Sequence, residues 1–168
     1  MELLVALRSI ALACALSAAL SACIGTSPEQ AEADALGPDP SGFNDGPLHR
    51  AGFPCTRCHG DAWWQDSPAF RLAGTVYNKS TDNHGLNNAE VIVRDAAGRE
   101  LIAHTNQSGN FYFVEESITF PLRVSVRSGD HEQTMRSLIW RERSCAACHR
   151  GEPDEDDNGQ VFVTEASP

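Results

Sequence analysis

Hydrophobic and polar residues alternate along five short segments in the middle of the chain. These segments are 71–78, 89–95, 100–105, 110–115 and 122–128. Successive side chains of a strand point to opposite faces, so Val91 and Val93 are expected to share one face of their strand. Turn residues separate the segments at 95–98, 106–110 and 128–130. Short strands at regular spacing with glycine-containing turns predict a mainly β fold, with a small antiparallel β-sandwich over residues 71–140.

Two parts of this region do not follow the simple alternation. The segment 131–140 fits either a sixth strand or a short helix. His84 falls in a polar stretch that predicts a loop, and His104 falls on the predicted strand 100–105, where its side chain is expected to be exposed.

The same region carries motifs of a known domain family. They are "AGTVYN" at 73–78, "LNNAEVIVRDAAGRE" at 86–100 and "TNQSGNFYF" at 105–113. These motifs resemble the carboxypeptidase regulatory-like, transthyretin-type β-sandwich. The positions that match the family pattern are Gly74, Val76, Ala89, Gly98, Thr105, Gly109 and Phe111. Domains of that family are mostly non-catalytic modules for packing or adhesion, so the resemblance implies no activity.

The first residues have the pattern of an exported protein. The apolar run after Arg8 ends at Leu20 and is shorter than the roughly 20 residues that a spanning helix needs, so residues 1–22 are predicted to be a secretory signal. The sequence "LSAC" at 20–23 resembles a bacterial lipobox, which implies that Cys23 becomes the lipidated first residue. Because Ile24 rather than aspartate follows, the resemblance to Gram-negative lipoproteins implies an outer-membrane anchor, facing the periplasm or the cell surface. A plain signal peptide with a chance cysteine is the alternative.

The composition changes after the predicted lipid anchor. Residues 23–48 are rich in Pro, Gly, Ala, Asp and Glu and have few large apolar side chains. Such a segment buries too little surface to offset its ordering entropy, so a disordered, acidic N-terminal tether is predicted.

The net charge limits the partners of the chain. It has 13 Lys+Arg against 23 Asp+Glu, a formal net charge of −10 over 168 residues. This charge argues against nucleic acid, whose phosphates attract the opposite sign. It favours a partner protein with a basic docking surface.

Four cysteines outside the N-terminal region fall into two Cys-x-x-Cys-His motifs. They are Cys55, Cys58 and His59 in the segment 49–70, and Cys145, Cys148 and His149 in the segment 141–152. This motif is the attachment signal of c-type haem. The two thiols are spaced to form thioethers with the porphyrin vinyl groups, and the histidine ligates the iron as the proximal ligand. At both motifs the sequence resembles a dihaem c-type cytochrome, which implies two covalent haems and an electron-transfer role rather than an enzyme.

Other uses of the two motifs remain open. The cysteine pairs fit a Cys₄ zinc site, although the 86 residues between Cys58 and Cys145 form a longer insert than in zinc ribbons. They also fit disulfides, either structural or of the thioredoxin type. Neither alternative explains why a histidine follows both pairs. A non-haem adhesion or scaffold lipoprotein would use the cysteines in one of these ways.

A six-coordinate haem needs a distal ligand, usually histidine or methionine. His49 precedes the first motif, and His131 and Met135 precede the second. These three residues are the predicted distal ligands, with a core position as the alternative for Met135. An open distal position would instead make the chain a haem-based sensor or enzyme. The aromatic residues predicted to cover haem faces or close the sandwich ends are Trp63, Trp64, Phe70 and Trp140.

The C-terminal segment 153–168 is strongly acidic. Its sequence satisfies a calcium-loop pattern through Asp154, Asp156, Asn158 and Glu165, and oxygen ligands at this spacing can bind Ca²⁺. No helix is predicted before it, so an acidic solvated tail is the preferred interpretation.

Overall fold

The computed structural model describes residues 31, 34–40, 42–43, 46–60, 68–79, 84–114, 117–150 and 158–163. Its contacts divide the chain into two units, Met1–Gly37 and Pro38–Pro168. The first unit ends in a turn where the N–H of Gly37 donates to the Asp34 carbonyl at 3.2 Å. The second unit contains the strands found in the described part of the chain and both motifs. The predicted signal peptide and the lipidation site Cys23 lie outside the described residues.

Among the described residues, six strands in two antiparallel sheets form a mainly β structure, which confirms the coarse fold prediction. They are β1 (Leu72–Thr75), β2 (Glu90–Arg94), β3 (Glu100–His104), β4 (Asn110–Phe113), β5 (Arg123–Ser128) and β6 (His131–Thr134). β1 pairs with β4, and the other sheet has the order β3-β2-β5-β6. Each of the five alternating segments contains one strand, and residues 131–134 form a sixth. None of the helices among the described residues has the length and apolar content needed to cross a membrane.

The turns form where the polar segments predict them. The N–H of Gly98 donates to the Asp95 carbonyl at 3.0 Å, and the N–H of Gly109 donates to the Asn106 carbonyl at 2.8 Å. Gly109 has φ +76°, and a Cβ at this position would lie 2.2 Å from the Val76 carbonyl oxygen. Only glycine meets both the positive φ and the close backbone approach.

One buried hydrophobic cluster contains side chains from both sheets. Its strand residues are Leu72, Val91, Val93, Phe111, Phe113, Val124 and Val126. The shared face predicted for Val91 and Val93 is confirmed, because both are fully buried. The exposed position predicted for His104 is also confirmed, at the end of β3, while His84 lies exposed in a bend.

Strand β1 contacts two short 3-10 helices, each of which begins with the first cysteine of a motif. The first helix is Cys55–Arg57 and the second is Cys145–Ala147. On the first side, the N–H of Gly52 donates to Thr75 Oγ1 at 2.8 Å. On the second side, the N–H of Ala73 donates to the Arg143 carbonyl at 2.9 Å. The two segments therefore attach to β1 at positions two residues apart.

Residues before the first motif are also tied to the sheet. Asn106 and Asn110 donate from their side-chain amides to the Pro47 carbonyl, and Asn110 donates to the His49 carbonyl at 3.0 Å. Asp39 is buried and accepts the N–H of Arg50. These contacts begin within the predicted tether 23–48, whose disorder and boundary stay predictions.

Candidate cofactor-attachment site

The first Cys-x-x-Cys-His motif forms a tight turn around one carbonyl group. The Cys55 carbonyl accepts the N–H of Cys58 at 3.2 Å and the N–H of His59 at 2.9 Å. Pro54 precedes the turn and fixes its own φ near −65°. The turn is therefore an intrinsic product of the local sequence, and it brings both cysteines and the histidine to one short segment.

The second motif forms the same turn. The Cys145 carbonyl accepts the N–H of Cys148 at 3.2 Å and the N–H of His149 at 2.9 Å. Two segments far apart in the chain thus present two thiols and one imidazole on the same backbone geometry. The two motifs therefore share one backbone arrangement as well as one sequence pattern.

Each motif histidine is oriented by a backbone carbonyl downstream. His59 Nδ1 lies 3.2 Å from the Pro68 carbonyl oxygen, and His149 Nδ1 lies 2.9 Å from the Gly159 carbonyl oxygen. A carbonyl only accepts hydrogen bonds, so Nδ1 carries the proton and Nε2 keeps its lone pair. This is the usual arrangement of a metal-bound histidine, whose other nitrogen donates to a neighbouring carbonyl.

His49 lies beside the first motif, as a distal ligand would. Its Nδ1 contacts the Gly46 carbonyl, so its Nε2 is also available. The centroids of the His49 and His59 rings are 5.7 Å apart. Burial lowers the pKa of His59, and the neighbouring His49 lowers this pKa further, while the Pro68 carbonyl opposes the shift. The neutral imidazole that results is the form that ligates metals.

Burial raises the pKa of three of the four motif thiols. All four motif cysteines are free. Burial raises the pKa of Cys55 to about 11 and the pKa of Cys145 to about 12, to which the neighbouring Cys55 thiol adds. Burial also raises the pKa of Cys58. Thioredoxin-type chemistry requires a thiol with a lowered pKa, so these values argue against that alternative.

A cavity of about 560 Å³ opens beside the second motif. Cys145, Cys148 and His149 line it together with Met135 and Trp140. Its remaining walls are largely apolar and come from both sheets, through Leu72, Phe111, Val124 and Val126 among others. The volume and the mixture of apolar walls with a few polar groups are typical of a site for a cofactor.

The two predicted distal ligands of the second motif differ in their position: Met135 lines the cavity and His131 does not. Met135 lines it, directly after β6, and its N–H donates to the Val124 carbonyl at 2.9 Å. His131 begins β6 opposite Ser128 and is not among the described residues that line the cavity. The geometry favours Met135.

The predicted aromatic residues have different environments. Phe70 is buried and stacks on the His59 ring with centroids 4.2 Å apart, and it also stacks on Tyr112 at 4.7 Å. Trp140 is 70% exposed at the cavity. Trp63 and Trp64 lie outside the described residues.

The predicted calcium loop is described only in part. Asp154, Asp156 and Glu165 lie outside the described residues. Asn158 donates to the Cys148 carbonyl from its backbone at 3.1 Å and from its side chain at 3.2 Å. No group of three or more His, Cys, Asp or Glu among the described side chains is arranged to hold a metal ion.

The side chains of the second motif meet at this cavity. The thiols of Cys145 and Cys148 and the imidazole of His149 line it, and these are the side chains that covalent attachment of a haem requires. The hydroxyl of the neighbouring Ser144 is buried and has no hydrogen-bond partner in the described part of the chain.

Sequence motifs do not identify the supporting groups at the site. The Pro68 and Gly159 carbonyls contribute backbone atoms, which any residue type could supply. Ser144 is an ordinary serine before a cysteine until its burial is known. The one signal in the sequence is a similar spacing. The residue whose carbonyl accepts from the histidine follows that histidine by 9 positions in the first motif and by 10 in the second.

Comparisons with protein-family models, with curated proteins and with solved structures found no match to this chain. The function is therefore inferred from the site itself.

Proposed function

We propose that this chain is a lipid-anchored dihaem c-type cytochrome that transfers electrons. The observation that carries the proposal is the repeated turn of the two Cys-x-x-Cys-His motifs, each with a histidine whose Nδ1 is bonded to a downstream carbonyl. Zinc binding or disulfide formation would use the cysteines but would not require the histidines to be oriented in this way.

Each motif would hold one haem through three side chains. The thiols of Cys55 and Cys58 would add across the two vinyl groups of one haem, with each S–H proton moving to a vinyl carbon. Cys145 and Cys148 would do the same for the other haem. His59 and His149 would ligate the irons through Nε2. The haem supplies one-electron chemistry, and the protein sets its potential through ligands, burial and hydrogen bonds.

The distal ligands proposed here are His49 for the first haem and Met135 for the second. His49 is supported by its 5.7 Å ring separation from His59 and Met135 by its place in the cavity. Methionine as distal ligand gives a higher reduction potential than histidine. The second haem would therefore be reduced before the first.

We also propose that the two sheets close into a transthyretin-type β-sandwich. Support comes from the single buried cluster shared by both sheets. The haems would lie next to β1, where both motifs attach, and would cover apolar surface that a domain of this size cannot bury alone.

The location and partners follow from the sequence. A lipid on Cys23 would anchor the chain in the outer membrane. The anchoring would be strong, because each buried methylene group of an acyl chain contributes roughly 0.8 kcal/mol. The acidic chain would approach a redox partner with a basic docking surface. Filled distal positions would leave no site for a substrate, which supports electron transfer rather than catalysis.

The test is a haem count. The full chain is expressed in a host competent for c-type haem maturation and measured by pyridine haemochrome absorbance against protein concentration. Two haems per chain are expected, falling to one in Cys55→Ala/Cys58→Ala and to one in Cys145→Ala/Cys148→Ala. A chain without haem but with bound zinc, or with two disulfides by thiol counting, would overturn the proposal in favour of a scaffold lipoprotein.

A further inference from the structure

The segment 47–52 consists of turns and carries His49 just before the first motif. Two carbonyl groups of this segment accept hydrogen bonds from one side chain of the sheet. Asn110, the first residue of β4, donates from its amide to the Pro47 carbonyl at 3.3 Å and to the His49 carbonyl at 3.0 Å. The backbone of His49 is therefore tied to the sheet by a bond at the residue itself.

Two N–H groups of the same segment are bonded to other side chains. The N–H of Gly52 donates to Thr75 Oγ1 at 2.8 Å, and the N–H of Arg50 donates to the carboxylate of Asp39. Arg50 has φ +55°, a conformation uncommon for a residue with a Cβ, and such conformations persist where the surrounding structure fixes them. The backbone is thus held at His49 and again within three residues after it.

The side chains that hold the segment are buried, and two of them are bonded to each other. Asp39, Thr75 and Asn110 are all buried. Thr75 and Asn110 are partners across β1 and β4, and the Thr75 hydroxyl donates to Asn110 Oδ1 at 2.7 Å. A continuous chain of hydrogen bonds therefore runs from the Gly52 N–H to the His49 carbonyl through these two side chains. A buried polar network with satisfied members rigidifies the groups that it joins.

We propose that Thr75 and Asn110 are positioning residues that hold His49 ready to ligate the iron of the haem attached at the first motif. This inference rests on the function proposed above. With its backbone fixed, His49 has only its two side-chain torsions left to bring Nε2 to the iron, so less conformational entropy is lost when the bond forms. Loss of the hydrogen-bond chain lets the segment move and weakens the bond between His49 and the iron. Neither Thr75 nor Asn110 touches the haem.

The experiment measures carbon monoxide binding to the reduced two-haem holoprotein. Carbon monoxide competes with His49 for the iron, so its apparent affinity rises by the factor by which His49 ligation weakens. Thr75→Val removes the hydroxyl and Asn110→Ala removes the amide. Each is expected to raise the carbon monoxide affinity of the first haem about tenfold or more, because a lost buried hydrogen bond changes an equilibrium constant by this order. Cys145→Ala/Cys148→Ala keeps only the first haem and assigns the signal.

Two control variants separate the hydrogen-bond chain from a general change in the protein. Thr75→Ser keeps the hydroxyl and is expected to retain the wild-type carbon monoxide affinity. Ser125 is also buried, but its hydroxyl is bonded to Thr134 Oγ1 at 2.8 Å, between β5 and β6. Ser125→Ala is expected to lower thermal stability without changing the carbon monoxide affinity of either haem.

A double substitution tests whether the effect passes through His49. In the His49→Ala protein, Thr75→Val should raise the carbon monoxide affinity no further, since the ligand that Thr75 positions is already absent. The proposal is overturned if Thr75→Val and Asn110→Ala keep both haems at the wild-type affinity, or if Thr75→Val has its full effect without His49. A wild-type chain without haem would instead overturn the proposed function itself.

Discussion

Gly74 of β1 lies directly against Cys145 of the second motif. A Cβ atom added at Gly74 would come within 2.7 Å of Cys145 Cβ, 3.0 Å of its Sγ and 3.1 Å of Phe111 Cε1. Glycine inside a strand often marks a close approach of another part of the structure. Here it allows the second motif to pack on the strand that also holds the first.

Replacement of Gly74 by alanine should displace the second motif. The added methyl group has no room between Cys145 and Phe111, and overpacking of this kind costs about 1–3 kcal/mol. We expect a lower urea midpoint together with a loss of second-haem attachment, measured as haem per chain. Gly98→Ala is the control, because Gly98 has φ +80° but open space around it. Gly98→Ala should lower the free energy of unfolding through backbone strain and leave the haem count at two. An equal loss of haem in Gly74→Ala and Gly98→Ala would contradict a local role for Gly74.

The stability of the β fold should depend on the ionisation of Asp95. Burial alone would raise the pKa of this carboxyl, but hydrogen bonds from Arg99 and from the Thr119 N–H lower it overall. A folded-state pKa below the unfolded one means that the stabilisation is complete above about pH 4 and disappears as the pH falls through the lowered pKa. Asp95→Asn should therefore be less stable than wild type at pH 7, with the difference in unfolding free energy shrinking on acidification. Urea unfolding between pH 7 and pH 2.5 tests this; a difference in unfolding free energy that stayed constant over this range would contradict it.

The strands were predictable because their signals are local. Alternating β-branched and aromatic residues around Val91 and Val93 select a strand with one buried face, and glycine with a positive φ fixes the turns. The backbone turn of each motif is equally local, since a turn around Cys55 or Cys145 needs only five residues.

The attachment of both motif segments to the same strand, β1, was not predictable from the sequence. It depends on the pairing of β1 with β4 and on a parallel bridge between Ala73 and Ser144. Such long-range contacts leave no periodic pattern in the chain. The same holds for the position of Met135 at the cavity and of His131 away from it, which depends on which end of β6 faces the cavity.

The two distal positions should respond differently to substitution. Met135→Ala should lower the potential of the second haem and abolish the long-wavelength absorption band of methionine-ligated ferric haem, because the iron loses its thioether ligand. His49→Ala should make the first haem bind carbon monoxide in the reduced state. His131→Ala is the control, since His131 does not line the cavity. If His131→Ala alone abolished the band or opened the second haem to carbon monoxide, the assignment of Met135 as distal ligand would be wrong. Carbon monoxide binding to the reduced wild-type protein would favour a haem-based sensor or an enzyme over an electron-transfer protein.

The two haems should interact electronically. The first segment is bonded to Thr75 and the second to Ala73, which places their attachment points about 7 Å apart along β1 at 3.3 Å per residue.

Two porphyrins carried by segments that attach this close together on one strand are expected to give a bisignate Soret circular dichroism signal, because their transitions couple. They should also show a midpoint potential for each haem that depends on the charge of the other. Cys145→Ala/Cys148→Ala, which removes the second haem, should abolish the bisignate signal. The matched variant Cys55→Ala/Cys58→Ala should abolish the same signal. A wild-type spectrum equal to the sum of the two single-haem spectra would show that the haems point away from each other, although their motifs share one strand.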